Sequence, residues 1–146
     1  MINHIANELI AEGAAVVFKE AQSDGRAMAF AVTDEAGGLV FGTRSDDCPT
    51  RVLTHAIRKA YTAAIMRRDT IALRDEDRER DKTLADWGDP NLTHLVGGAV
   101  IRIGDEWFGG LGVGGNSTER DDEIATIALG VLSEGRAPRG GGRSAG

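Results

Sequence analysis

Apolar and small residues at the start of the chain recur at helical spacing. Ile5, Leu9, Gly13 and the pair Val16 and Val17 follow one another at intervals of three or four positions. This period predicts a helix over residues 2 to about 21 with one buried stripe. A Ser-Asp-Gly sequence at residues 23–25 then ends the pattern.

The next segment alternates with a period of two. Residues 26–33 place Met28, Phe30 and Val32 on one side and alanines 27, 29 and 31 on the other. A strand with bulky residues on one face and small ones on the opposite face is typical of the centre of a sheet, with a helix packed closely on the alanine side. Turn residues 34–38 and a second strand over 39–43 complete a predicted β-hairpin.

A second helix is predicted over residues 51–68, because Leu53, Ala56, Ala60 and Ala63 fall on one face. The small size of these residues predicts a close approach to the sheet. Periodicity then fades over residues 70–91, where acids and bases alternate between 74 and 82. We interpret this segment as a solvated, partly helical excursion that serves as a lid or an oligomer contact.

A second hairpin follows, with strands over 97–103 and 107–113 joined by a tight turn at 104–106. Ser117 or Thr118 is placed to cap a last helix that ends near Ser133. Two hairpins and three helices predict an α+β fold: an antiparallel sheet of four or five strands with helices packed on it. Residues 1–135 form one domain in this interpretation, and the Gly/Arg-rich residues 136–146 form a disordered tail.

Composition narrows the class of protein. A chain of 146 residues with 41% hydrophobic residues folds without a disulfide or a structural metal, and Cys48 is its one cysteine. The net charge of −6 argues against a general nucleic-acid binder, which needs a basic face. No signal peptide is apparent, and no apolar stretch approaches the length that spans a bilayer. We therefore expect a cytoplasmic protein without a membrane partner.

Glycine is concentrated in the fourth predicted strand, at positions 109, 110, 112, 114 and 115. Glycine weakens a strand unless another group approaches its backbone. That group is either the alanine-rich helix alone or a flat ligand as well, and both readings stay open at this point. Three of these glycines match a G-x-G-x-x-G spacing, but they lie in a hairpin without a βαβ unit, so we reject a dinucleotide site.

Several stretches in order resemble one family over residues 26–132. The first stretch is Val32, Thr33 and Asp34, followed by Gly37, Leu39, Val40, Arg44 and Asp46. The second runs from Ala56 to Ala60, with Thr62, Ala63, Thr70 and Leu73. The third comprises Gly97 and Gly98, the glycine-rich residues 109–115, and then Asp122, Glu123 and Ala125. Together they resemble the GlcG/HbpS-like family, also known as haem-degrading or PduO C-terminal-like domains.

The resemblance implies a profilin-like sandwich that assembles into a homo-oligomer and binds a small ligand, with haem or a related tetrapyrrole as the leading choice. A ligand pocket is expected between the sheet and the second helix, with Arg44 and Lys59 holding a carboxylate such as a haem propionate. The glycines Gly97, Gly98, Gly112 and Gly115 are expected to line it. The alternative for the two cations is a plain surface role.

Two acids open the last helix. Asp122 and Glu123 either complement the helix dipole, or one of them contacts Lys59 or acts as a general base. In the second case Lys59, Asp122 and Glu123 would be catalytic residues.

Histidines decide whether haem iron has an axial donor. His55 is the best candidate because it lies on the same helix as Lys59, four residues earlier. His4 and His94 lie at segment edges, and a structural role is the alternative for all three. Cys48, in the loop before this helix, is either a reactive thiol near a helix N-terminus or an ordinary loop residue.

Three functions therefore remain open. The first is a haem-binding or other small-ligand-binding protein. The second is an enzyme that acts on a small carboxylic acid by proton transfer. The third is an accessory oligomer without chemistry.

Overall fold

The computed structural model describes residues 5–134. Over this range the chain forms helix α1 (Asn7–Asp24), strands β1 (Ala29–Thr33) and β2 (Leu39–Arg44), helices α2 (Thr50–Met66) and α3 (Thr70–Glu79), a short 3-10 helix (Leu84–Trp87), strands β3 (Gly98–Ile103) and β4 (Glu106–Gly114), and helix α4 (Thr118–Glu134). The predicted order of elements and the α+β class are confirmed. His4 and the predicted disordered tail at 136–146 lie outside the described residues.

One antiparallel sheet organises this part of the chain, with four strands in the order β2-β1-β4-β3. The two predicted hairpins supply the pairs β1–β2 and β4–β3, and the central pairing joins β1 to β4. In that pairing Phe30 lies opposite Val113, and Ala31 lies opposite Gly112. The bulky side chains therefore share one face of the sheet, and the small residues share the other.

The bulky face packs against α1 and α4. Phe30, Val32, Leu111 and Val113 are almost fully buried there, together with Ile10, Val17, Ile124 and Leu132 from the two helices. Removal of apolar surface from water by this layer provides the main driving force for folding. Within the described residues, no helix is both long enough and apolar enough to cross a membrane.

The small face packs against α2, as the alanine pattern predicts. Ala29 and Ala31 of the sheet meet Ala56 and Ala60 of the helix. A Cβ at Gly112 would overlap the carbonyl oxygen of Ala56, and one at Gly110 would overlap that of Ala60. Close helix packing is therefore sufficient to explain these two glycines, and it brings the backbone of α2 onto the sheet.

The segment after α2 is partly helical and largely exposed, as the sequence predicts, but it also contains a buried stripe that the sequence did not predict. Its ten-residue helix α3 buries Thr70, Leu73 and Asp77. The hydroxyl oxygen of Thr70 accepts a hydrogen bond from the backbone N–H of Gly98 at 2.9 Å, which ties the start of α3 to the edge strand β3. The sequence pattern does not reveal this buried face, because only three of the ten residues are buried and charged residues separate Leu73 from Asp77.

Candidate functional site

A cleft of about 290 Å³ opens beside the N-terminal half of α2, where β4 ends and α4 begins. We call it the Lys59 cleft, and its lining includes Arg51, His55, Lys59, Leu95, Gly115 and Asp121. The volume is at the lower end of the range for small-molecule sites, roughly 300 to 1,000 Å³. Three elements meet here, so the cleft exists only in the folded chain.

Lys59 is the most deeply buried cation that lines this cleft, with a side chain only 5% exposed. Its Nζ donates a hydrogen bond to the carbonyl oxygen of Val113 at 2.8 Å and lies 3.4 Å from Oδ2 of Asp121. Glycines surround the ammonium group: a Cβ at Gly97 would lie 3.1 Å from Nζ, and one at Gly114 would lie 3.3 Å from it. The absence of side chains at these positions leaves room for the lysine head.

Asp121 completes the pair from the first turn of α4. Its Oδ1 accepts a hydrogen bond from the backbone N–H of Asn116 at 2.9 Å. Burial raises the pKa of Asp121, against the opposing effect of the Lys59 charge. Burial also lowers the pKa of Lys59, against the opposing charge of Asp121. Desolvation thus drives both groups toward their neutral forms, which reduces the cost of moving a proton between them.

The sequence prediction placed the acidic partner of Lys59 one or two residues too late. Asp122 is half-buried. Its pKa is raised mainly by burial and also by the negative charges of Asp69 and Glu123. Glu123 is exposed and accepts from Nη1 of Arg120 at 3.4 Å. Successive residues of a helix are offset by about 100° around its axis, so the side chains of neighbouring residues on α4 point in different directions. Asp121 could have been identified from the sequence, because it lies three and four residues before the buried Ile124 and Ala125 and therefore on the same helix face.

Arg44 is placed away from this pair. It lies on the edge strand β2, which pairs with β1 and not with β4, and it is not among the residues that line the cleft. Its Nη1 donates to the carbonyl oxygen of Cys48 at 2.8 Å and to Oγ1 of Thr50 at 3.0 Å. Arg44 therefore stabilises the loop that leads into α2. The arginine that lines the cleft is Arg51, which is not among the site residues predicted from the sequence.

The four predicted ligand-binding glycines divide into two groups. Gly115 lines the cleft and Gly97 lies beside the lysine head, and both have positive φ angles, +113° and +124°. Gly98 and Gly112 instead lie under α2, where a Cβ would overlap a backbone carbonyl oxygen of Lys59 or Ala56. Close packing of α2 therefore accounts for Gly98 and Gly112, whereas Gly115 borders the cleft.

His55 lines the Lys59 cleft one helical turn before Lys59. Its side chain is half-buried, and the described residues offer it no hydrogen-bond partner. His94 lies elsewhere, with Nε2 2.6 Å from Oδ2 of Asp77. Of the histidines in residues 5–134, His55 is thus the one that borders the Lys59 cleft.

The structure favours the ordinary reading of Cys48. Its side chain is buried at 3% exposure, and burial raises the pKa of the thiol despite the nearby Arg44 and Arg51. Because the thiolate is the reactive form, this environment suppresses reactivity.

Comparisons with known proteins agree on one family. The family model described as "Haem degrading protein HbpS-like" matches residues 5–130. Protein GlcG of Escherichia coli strain K12 is 32% identical over 130 residues, which cover 89% of this chain and 92% of GlcG.

Solved structures support the same assignment. A double mutant of Streptomyces reticuli HbpS is 28% identical, with a TM-score of 0.79, over 89% of this chain and 88% of that one. A PduOC–haem complex matches with a TM-score of 0.80 over 89% of this chain and 96% of that one. At 22% sequence identity, this match supports the fold and nothing further. The matched range includes α2, β4 and most of α4, and this chain belongs to the HbpS-like family.

Proposed function

We propose that this protein binds haem or a related tetrapyrrole, with a carboxylate-bearing edge of the ligand in the Lys59 cleft. The observation that carries the proposal is His55, a half-buried imidazole without a hydrogen-bond partner among the described residues, at a cleft that also contains Arg51 and Lys59. The description of the family model and the haem complex of a protein with the same fold support it.

The side chains around the cleft fit such a ligand. Imidazole is a common axial ligand of haem iron. A guanidinium group forms paired hydrogen bonds with a carboxylate, and Arg51 is an exposed arginine at the cleft. Leu95, which is 45% exposed, adds apolar surface at the rim. The volume of about 290 Å³ admits part of a macrocycle, so the remainder would lie against this rim.

Each residue then has a separate task. Haem, when bound, supplies redox and oxygen chemistry at its iron. His55 offers a nitrogen donor, and Arg51 binds and orients a propionate. Lys59 and Asp121 hold a proton between Nζ and Oδ2 at the inner end of the cleft, where burial limits access by water.

Titration with hemin, followed at the Soret band, tests this proposal. We expect a saturable band at one haem per chain that weakens and shifts in His55→Ala. The control is His94→Ala, which also removes an imidazole but at a position that does not line the Lys59 cleft. An unsaturable response, or equal bands in wild type and His55→Ala, would show that His55 is not the axial ligand.

A second function is favoured by the buried Lys59–Asp121 pair. An enzyme that acts on a small carboxylic acid needs a cation for the carboxylate and a group that moves a proton. Arg51 supplies the first, and Asp121 beside Lys59 supplies the second. Glu123 is less suited because it is exposed and contacts Arg120.

A panel of small carboxylic acids, measured for thermal stabilisation and turnover, tests the enzymatic alternative. We expect turnover that Lys59→Met abolishes while circular dichroism shows an intact fold. Turnover that survives this substitution would remove Lys59 from the catalytic role, and Asp121→Asn tests the carboxyl group in the same way. If no acid and no haem raises the melting temperature, an accessory protein without a ligand becomes the better description.

Self-association is the partner interaction that we propose. The edge strand β2 exposes Leu39 at 57% and Val40 at 48%, and Ile65 of α2 is 38% exposed. Edge strands with exposed apolar residues favour pairing with another chain. We expect sedimentation velocity to show an oligomer that Val40→Lys weakens, and a monomer in the wild type would exclude this proposal.

A further inference from the structure

A second cleft, of about 340 Å³, lies on the other side of Leu95 and Val96. We call it the α3 cleft, and its lining includes Arg74, Arg78, Thr93, His94 and Thr118. Leu95, Val96 and Thr118 also line the Lys59 cleft, so the two clefts are neighbours. The function proposed above does not use the basic residues of this second cleft.

His94 is held in one orientation by a buried acid. Its Nε2 lies 2.6 Å from Oδ2 of Asp77, and the same oxygen accepts from Nε1 of Trp87 at 3.2 Å. The Asp77 side chain is 2% exposed, whereas that of His94 is 28% exposed. One carboxylate oxygen therefore contacts both rings, which fixes the orientation of the imidazole and leaves its Nδ1 edge for another group.

Arg74 and Arg78 follow each other at a spacing of four residues on α3, so both lie on one helix face. Nε of Arg74 donates to Oδ1 of Asp75 at 3.1 Å, in a pair whose acid is 53% exposed. Arg78 is exposed, and its side chain has no ion-pair or hydrogen-bond partner within residues 5–134. Like charges at this spacing repel each other, and an anion between them would relieve the repulsion.

We propose that the α3 cleft binds an oxyanion group, a phosphate or a carboxylate, of a small metabolite. Arg78 and the free Nη groups of Arg74 donate to its oxygens in the forked geometry that guanidinium groups provide. The hydroxyl of Thr118, at the start of α4, adds one further donor. Arg74, Arg78 and His94 lie outside the lining of the proposed haem cleft, so this proposal does not depend on haem binding.

Amide chemical shifts followed during titration with inorganic phosphate, and separately with acetate, test this inference. We expect saturable shifts at Arg74, Thr93 and His94, which line the α3 cleft and not the Lys59 cleft, and the anion that binds more tightly identifies the group. Arg78→Gln should weaken binding about tenfold or more, the loss typical of a charge-assisted hydrogen bond. Arg80→Gln, an exposed arginine that does not line the cleft, should leave binding unchanged.

The opposite results would overturn the inference. They are the lack of a saturable shift with either anion, or equal affinity of wild type and Arg78→Gln. Arg78 is exposed, so its substitution should leave the fold intact, and circular dichroism of the variant checks this. Hemin titration of Arg78→Gln separates the two clefts, because a retained Soret response with lost phosphate binding supports the α3 cleft independently.

Discussion

The Lys59–Asp121 pair is the residue-scale feature with the largest energetic consequence. Both side chains are more than nine-tenths buried, at 5% and 7% exposure. Desolvation of two charges costs several kcal/mol per ion, and their attraction offsets this only in part. Removal of one partner leaves an unpaired buried charge, which typically costs about 3–5 kcal/mol. Such a pair is retained for its chemistry or its specificity more readily than for stability.

The raised pKa of Asp121 predicts a pH-dependent difference between the wild type and Asp121→Asn. A carboxyl group whose pKa is raised in the native state stabilises the fold fully at pH values below its pKa of 3.8 in the unfolded chain. This contribution to the free energy of unfolding is lost as the pH rises through the native pKa. The free energy of unfolding of the wild type, minus that of the variant, should therefore fall from about pH 3 to about pH 7.

Urea denaturation at a series of pH values measures this difference. The asparagine does not titrate, so the subtraction removes the groups that titrate alike in both proteins and leaves the carboxyl group of residue 121 together with its coupling to Lys59. A difference that grows with pH would mean that the Lys59 charge outweighs burial and lowers the pKa.

Burial of Cys48 leads to a second prediction. Iodoacetamide should alkylate the native thiol at least about tenfold more slowly than the urea-unfolded chain, because the native thiol is inaccessible and its pKa is raised. Mass spectrometry over a time course measures both rates. Equal rates would contradict the burial of this side chain.

At the scale of elements, the close contact of α2 with β4 depends on the absence of a Cβ atom at two glycines of the strand. Gly110 and Gly112 face carbonyl oxygens of the helix, and Thr33 donates from Oγ1 to the carbonyl oxygen of Ala60 at 3.3 Å. The helix therefore lies against the backbone of the sheet. This short separation sets the depth of the Lys59 cleft, since Lys59 is carried by the same helix.

Gly112→Ala should destabilise the protein, because its Cβ would overlap the Ala56 carbonyl oxygen of a packed helix. Overpacking of this kind typically costs about 1–3 kcal/mol. The matched control is Gly130→Ala on α4, where a Cβ meets nothing within 4 Å. That change should stabilise by roughly 0.5–1 kcal/mol through helix propensity. Thermal and urea unfolding measure both variants, and a stabilising Gly112→Ala would show that α2 does not pack so closely.

At the scale of the whole molecule, Arg120 connects the first and last helices. Its Nε lies 2.7 Å from Oδ2 of Asp24, its Nη2 contacts Glu20, and its Nη1 is 3.4 Å from Oε1 of Glu123. Asp24, the strongest of these partners, raises the pKa of Arg120. The contacts with Asp24 and Glu20 join residues 96 and 100 positions apart, so they stabilise the layer of α1 and α4 over the core.

Arg120→Gln should lower the melting temperature at low ionic strength, and the loss should shrink from about 0.05 to about 1 M salt because ions screen exposed charges. The control is Arg74→Gln, which removes one pair with the exposed Asp75 of the same helix and should have little effect. Scanning calorimetry at several salt concentrations measures the shifts. Equal shifts for both variants would show that the three-acid network adds nothing beyond an ordinary surface pair.

Local sequence patterns were sufficient to predict most of the architecture. Alternation over residues 26–33 predicted both the strand and its two faces, and the small residues of α2 predicted the side on which that helix packs. These features depend on periods of 2 and 3.6 residues, which a sequence displays directly. The sequence did not predict the burial of α3, whose three inward residues are separated by charges.

The site required the tertiary structure. The sequence determined that Lys59 and an acid of the last helix were available, and it determined that glycines would admit α2. The rotation of α4 about its axis selected Asp121 over Asp122 and Glu123, and the strand order placed Arg44 away from the cleft and Arg51 beside it. Packing between elements distant in sequence fixes these rotations and distances, and no local period encodes them.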